Sequence, residues 1–531
     1  MLVIHNARIH SQNPKQESAT ALVVDQGKIL GVGTDDEILH SYPTRNTFDA
    51  QGSSLIPGLT DAHIHLENYA LSLQKVDCET PSKVECLQRI AKRAIITPPG
   101  EWILGHGWNH NAWDDGYGCA KQLDDVAPHN PVYLTHKSLH CAWVNCRAMQ
   151  LAGIDRNTSN PTSGLIGHLP DGEPDGILFE SSMDLVENVI PEPSLEQVVN
   201  AIRLAQPILW KMGLTGVHDF DLERCFSALQ VMHESGELNL RVLKSIPFEN
   251  LQHAIALGLR TGFGDDMLRI GSLKLFSDGA LGPHTAAMLK PYEDDPHNTG
   301  LLMLDAEQLF EVGQLAVRNG ISLAIHAIGD RANHEVLNAY EQLQNLVRSN
   351  QPLSKEKLRH RIEHVQVLHP DDVGRLSKLN VIASMQPIHA TSDMFMADQF
   401  WGNRAALAYA WREQITHGAK LAFGSDAPVE SPNPFWGIHA AVTRRRADGS
   451  PSVHGWFPEQ CLTVNEALQA YTTGPAYTAG IEAKVGRIER GYWADLILLN
   501  EDLFSCLPNE IMNIHPITTM VGGEWVYSEM G

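Results

Sequence analysis

The chain has 531 residues, 43% of them hydrophobic and 19% charged, with 42 glycines and 29 prolines spread along it. That composition is globular and excludes wholesale disorder and collagen-like repetition, and no run approaches the roughly 18 uncharged apolar residues of a membrane-spanning helix. The net charge of −23, from 40 basic and 63 acidic side chains with no basic block, argues against a phosphate-backbone partner.

Residues 1–55 read as short strands. Leu2-Val3-Ile4, Ala21–Val24, Lys28–Val32 and Thr47–Ala50 are separated by turn formers such as Asp25-Gln26-Gly27. The first ten residues lack a basic head followed by an apolar run, and read as a strand and not a secretory leader. Residues 485–531 read the same way, with Leu496–Leu499 and a closing hairpin near Thr519–Tyr527. A β segment of about 50 residues buries little core alone, so the two ends are expected to form one composite β domain.

Between them lies a strand–helix alternation. Leu55–Ala62 is the first candidate, ending at His63. Leu214–Asp219, Leu240–Ile246, Ile270–Phe276, Ile321–His326, His360–His364, Val381–Gln386 and Leu421–Ser425 follow. Eight strands with helical crossovers predict an α/β fold, a (β/α)8 barrel over residues 56–484, with a doubly wound sheet as the alternative. Residues 66–212 are too many for one crossover and predict an insertion after the first strand, with strands of its own at Trp102–Gly105 and Pro131–Thr135. The eight cysteines contain no CxxC spacing and fit reduced thiols.

Histidine is the compositional outlier, with 26 residues. Four strand ends carry ligand-type side chains where apolar residues would otherwise finish a strand. The first is Asp61-Ala-His63-Ile-His65, whose two imidazoles share a face because strand residues i and i+2 point the same way. The others are His326 in Ala324–Asp330, His364 in Arg361-Ile-Glu-His364, and Asp426 in Leu421–Pro428. Each alone could be a surface or core histidine or a helix-capping Asp. Together they put four His and one Asp at the C-terminal ends of strands one, five, six and eight, where a barrel gathers its catalytic groups.

This arrangement resembles the metal-site pattern of the amidohydrolase superfamily. Gly105-His-Gly-Trp108, His140–Asn145, Gly176–Glu180, Lys274–Gly279 and Gln386-Pro-Ile-His389 are similar to its family 3 branch, which contains the N-substituted formamide deformylases. The resemblance covers essentially the whole chain and implies a metal-dependent hydrolase of C–N amide-type bonds in a small molecule, an N-acyl or N-formyl amine. It implies that His63 and His65 hold one divalent ion, most simply Zn2+, and that His326 and His364 hold a second. Asp426 would touch the metal, accept a proton from water and return it to the leaving nitrogen. Lys274 would bridge two ions if carboxylated. If instead it pairs with Asp278 or Glu180, the site holds one ion, or Glu180 bridges. Trp108, His140, Glu180 and His389 are candidate substrate contacts, although Trp108 could equally be core packing and His389 could be exposed. His218-Asp219 would orient neighbours. The competing readings are a mononuclear heterocycle deaminase and a non-catalytic scaffold on the same fold. A cytoplasmic protein, with no nucleic-acid or membrane partner and compatible with a homodimer, is the remaining expectation.

Overall fold

A computed structural model describes the chain except residues 17, 111–112, 138–139, 163, 350–357 and 530–531, and the side chains of 347–349. Two compact units are present. One comprises residues 1–69 and 202–531, the other residues 70–201.

The first unit is built on eight parallel strands in sequence order: Leu59–Ile64, Leu214–Asp219, Arg241–Ile246, Leu268–Phe276, Leu323–Ala327, Arg361–His364, Ile382–Met385 and Leu421–Phe423. Nearly every residue of these strands is buried, as in a sheet covered by crossover helices such as Glu223–Glu234 and Ala306–Arg318. The seam between strands one and eight is closed at its C-terminal end. There the Asp426 N–H donates to the His63 carbonyl (2.7 Å), and the His65 N–H donates to the Ala427 carbonyl (2.9 Å). The architecture is therefore a (β/α)8 barrel and not a doubly wound open sheet.

The expected first strand, Leu55–Ala62, proves to be two strands. Ser54–Pro57 pairs with Leu496–Leu499, whereas Leu59–Ile64 pairs with Leu214–Asp219. Gly58 makes the break. A Cβ there would stand 2.2 Å from Thr215 Oγ1, so only glycine lets the backbone pass this close. Both halves are buried, so the apolar pattern runs across the break without marking it.

Around this junction the chain ends form two sheets. Leu2–His5, Ala21–Asp25, Lys28–Gly33 and Thr47–Asp49 make one, and Arg8–Ile9, Ser54–Pro57, Leu496–Leu499, Pro516–Val521 and Glu524–Ser528 the other. They share a core that includes Ile4, Leu22, Ile29, Leu55, Leu496, Leu498 and Met520. Asp495 ties the C-terminal segment to the third barrel strand. Its carboxylate accepts from Arg241 Nε (2.6 Å) and Nη2 (2.9 Å), and from the Gly522 N–H (2.8 Å). Both side chains are buried, so Asp495→Ala would strand a guanidinium away from water. The expected cost is about 3–5 kcal/mol, read as a lowered denaturant midpoint.

The second unit holds a six-stranded sheet in the order Gly164–His168, Pro174–Glu180, Cys141–Val144, Val132–His136, Ile103–Trp108 and Val76–Asp77. Lys83–Ile96 and Ala120–Val126 pack on it, and a core including Trp108, Trp113 and Trp143 fills it. All eight cysteines are free thiols.

Candidate metal centre

The His-x-His pair ends the first barrel strand with both rings on one side, their centroids 5.8 Å apart. Each Nδ1 is held by a buried carboxylate. His63 Nδ1 lies 2.6 Å from Glu363 Oε2, and His65 Nδ1 lies 3.2 Å from Asp221 Oδ1. With Nδ1 turned to a carboxylate, each ring presents its Nε2 to the cavity. The two Nε2 atoms converge on one oxygen, Asp426 Oδ1, at 3.4 and 3.5 Å.

Strand six contributes Arg361, Glu363 and His364. Adjacent strand residues normally face opposite sides, but His364 has φ 74° and Val365 φ 44°. This left-handed turn redirects the end of the strand so that His364, next to Glu363, also reaches the site. Asp426, just past strand eight, has φ 62°. Two proposed ligands thus occupy a backbone region that disfavours L residues, held there by the surrounding fold.

Burial pushes the imidazoles toward neutrality. His63 falls to about 4 and His326 to about 3, in each case through desolvation and then the nearby Lys274 charge. His364 falls well below its ordinary value through burial and its neighbour His326. His65 differs, because burial disfavours its charge but Asp221 and Asp426 outweigh that and raise it to about 9. Burial also opposes charge on Asp426 and Glu363. Around Asp426 the imidazoles of His63, His65 and His364 prevail, and around Glu363 the Arg361 guanidinium and His63 prevail, so both stay ionised.

Among the described residues three donor sets lie within 4.8 Å: His63, His65 and Asp426; His364, His389 and Asp426; and Asp219, Asp221 and Cys225, and only the first two share Asp426. His389 sits in the first turn of Pro387–Trp401, buried and not exposed, with Nε2 3.9 Å from Asp426 Oδ2. His326 stands just outside these sets. Its ring is 4.5 Å from that of His364, and its Nε2 donates to the Gly279 carbonyl at 2.9 Å, which leaves Nδ1 with the lone pair.

Lys274 comes from strand four and is buried. Its Nζ lies over the rings of Phe220 (4.5 Å) and Phe276 (4.8 Å), with no ion pair among the described residues. Asp278 is not its partner, since that carboxylate accepts the N–H groups of Ala287, Ile328 and Gly329 at 2.8–3.0 Å. Glu180 lies in the second unit and is paired with His140 at 3.1 Å, both side chains exposed. Trp108 is in that unit's core and donates its Nε1–H to the Leu134 carbonyl (2.9 Å).

Two carboxylates with no role assigned from the sequence emerge here. Glu363 anchors a network in which Ser384 Oγ donates to Oε2 (2.6 Å), as does Arg361 Nη2 (2.9 Å). Arg361 also donates to His218 Nδ1 (2.9 Å), so His218 serves the scaffold. Asp221 holds His65 and also accepts the Glu67 N–H (2.5 Å) and Asn68 Nδ2 (2.8 Å). Asp219 instead pairs with Lys244 at 2.9 Å. Asp221→Asn keeps the backbone contacts but weakens the grip on His65. Metal affinity is expected to fall about 10–100-fold, read by chelator competition, with the fold intact.

The arrangement fits a divalent cation. The donors are imidazole nitrogens and carboxylate oxygens, and the buried His364 Nδ1 and His389 Nε2 have no hydrogen-bond partner, which buried polar atoms otherwise find. A barrel with this donor set at the C-terminal ends of its strands is a metal-dependent hydrolase of the amidohydrolase superfamily. A family model described as "Amidohydrolase family" matches residues 46–527. The chain belongs to that family and is a hydrolase acting on carbon–nitrogen bonds. YtcJ of Bacillus subtilis, named as an amidohydrolase, is 31% identical over 99% of this chain and 99% of its own. The N-substituted formamide deformylase of Arthrobacter pascens is 27% identical over 100% of this chain and 99% of its own. The crystal structure of an uncharacterized metal-dependent hydrolase from Pyrococcus horikoshii superposes with a TM-score of 0.79 at 27% identity, covering 96% of this chain and 99% of that one.

Proposed function

We propose that the chain hydrolyses the amide-type bond of an N-acyl or N-formyl amine, with zinc as its metal and Asp426 as the group that moves the proton. The observation that carries this reading is the convergence of His63 Nε2 and His65 Nε2 on one oxygen of Asp426. His63, His65, His326, His364 and Asp426 would hold the metal, and nitrogen-rich sets of this kind suit zinc. When bound, such an ion polarises a carbonyl and lowers the pKa of water toward about 7. Asp426 is ionised at neutral pH, so its free oxygen can take the proton of the attacking water. The surroundings that hold Asp426 well below its ordinary value also make its protonated form a strong acid, which favours delivery of that proton to the leaving nitrogen. His389, whose Nε2 lies 3.9 Å from Asp426 Oδ2, would hydrogen-bond the substrate.

Lys274, buried without a carboxylate partner, is read as carboxylated and as the link between two ions. The resemblance also supports substrate roles for His140 and Glu180 in the second unit, and the acidic, globular composition supports a cytoplasmic location. The deciding experiment is a screen of N-formyl and N-acyl amines with zinc-loaded protein, coupled to elemental analysis. Turnover with two ions per chain supports the reading. Deamination of heterocycles by a one-ion protein would replace it, and a metal-free, inactive protein would leave a scaffold.

A further inference from the structure

Strand four places Ser272, Lys274 and Phe276 on one face, because side chains alternate along a strand. Lys274 is buried, yet Phe276, two residues further toward the barrel mouth, is 47% exposed. Its ring stands 5.3 Å from that of His326, its neighbour on strand five, and 4.8 Å from Lys274 Nζ. A large apolar side chain thus stays in solvent directly beside a proposed ligand. It is not alone. The Met303 N–H donates to the Ser277 carbonyl (2.8 Å), which brings Met303 to the same strand end, and Met303 is also 47% exposed. Phe220, on the inner side of Lys274, packs 4.3 Å from the His63 ring. Lys274 is therefore flanked by the aromatic rings of Phe220 and Phe276, and nothing in the metal chemistry requires the outer of the two to stay in solvent. Exposed apolar side chains scattered singly need no explanation, but two exposed at one strand end beside a reaction centre mark a contact surface. A methionine at such a surface makes it adaptable in shape.

We propose that Phe276, with Met303 exposed at the same strand end, sets specificity, and that the substrate carries a branched or ring-sized apolar group on the side of the scissile bond facing strand four. This rests on the amide-hydrolase reading above and adds the substrate class to it. The group lies against the Phe276 ring and excludes water from the Lys274 side of the site.

The test uses two series of simple amides and the full-length zinc-loaded enzyme. One series enlarges the acyl group from methyl to phenyl, and the other enlarges the amine substituent over the same range. In one of them kcat/KM is expected to climb about tenfold or more, the scale of discrimination an apolar surface supplies. Phe276→Ala is expected to flatten that climb by raising KM for the larger members, while zinc content by elemental analysis stays that of the parent. Phe276→Leu is expected to keep part of the climb. If Phe276→Ala fails to fold, Phe276→Leu and Met303→Ala carry the same comparison. Measurable turnover with two flat series, or a climb that survives these substitutions, overturns the specificity assignment alone. Absence of turnover on every amide overturns the reading it rests on, and the assignment with it.

Discussion

His63→Ala is expected to abolish both metal binding and turnover while leaving the fold in place. The imidazole supplies one of two nitrogens aimed at Asp426 Oδ1, so its removal takes away a donor and not merely a support. The loss should exceed the roughly 10–100-fold that follows removal of an outer partner such as Asp221. The fold should persist because the buried apolar residues of the other barrel strands, including Leu273, Ile325, Ile362 and Ala422, are untouched. One complication is local. Glu363 would lose its His63 contact but keep Arg361 and Ser384, so no buried charge is left unpaired. Elemental analysis, circular dichroism and turnover on one preparation separate the outcomes. Retained zinc with lost activity would place His63 in catalysis but outside the metal set.

Much of this geometry could be read from the sequence because strands impose a simple rule. His63 and His65 share a face at spacing two, and a polar residue finishing a buried strand has few structural reasons to be there. The eight strands and their closed order follow from the same buried, alternating segments. Other features leave no such trace. The change of sheet at Gly58 is invisible because both flanking strands are equally buried. Glu363 stands in a quoted motif, but its attachment to His63 crosses 300 positions and depends on strands one and six lying across the barrel from one another. Asp221 lies beyond the last residue of strand two, where spacing no longer dictates direction. The placement of His364 depends on positive φ in a non-glycine residue, which composition does not announce. One clue was available: Asp219 and Asp221 bracket Phe220 at the mouth of a buried strand, where two carboxylates need two partners. They have them in Lys244 and His65.

Restoration of activity to metal-stripped enzyme is expected to be slow in bicarbonate-poor buffer and faster when bicarbonate accompanies zinc. The reason lies in Lys274. An ammonium carries the wrong charge for a cation site, and two like charges about 4 Å apart repel by several kcal/mol at a surface-like dielectric. Its surroundings do not neutralise it, since Nζ faces two aromatic rings and has no ion pair among the described residues. Burial lowers its pKa to about 8, against opposition from Glu363 and Asp426. About a tenth of the side chains would then be neutral amine at pH 7, from the ratio set by one pKa unit. That amine adds to the carbon of CO2, releases one proton and becomes a carbamate, an anionic oxygen donor where a cation stood. The sign of the pH effect follows: the amine fraction grows as pH rises toward 8, so carboxylation at fixed CO2 should quicken over pH 6–8. Lys274→Met should abolish the bicarbonate effect and reduce zinc from two ions per chain to one, with a large loss of turnover. If recovery ignores bicarbonate and Lys274→Met keeps near-full activity, Lys274 is structural, and a single ion held by the histidines and Asp426 replaces the two-ion site.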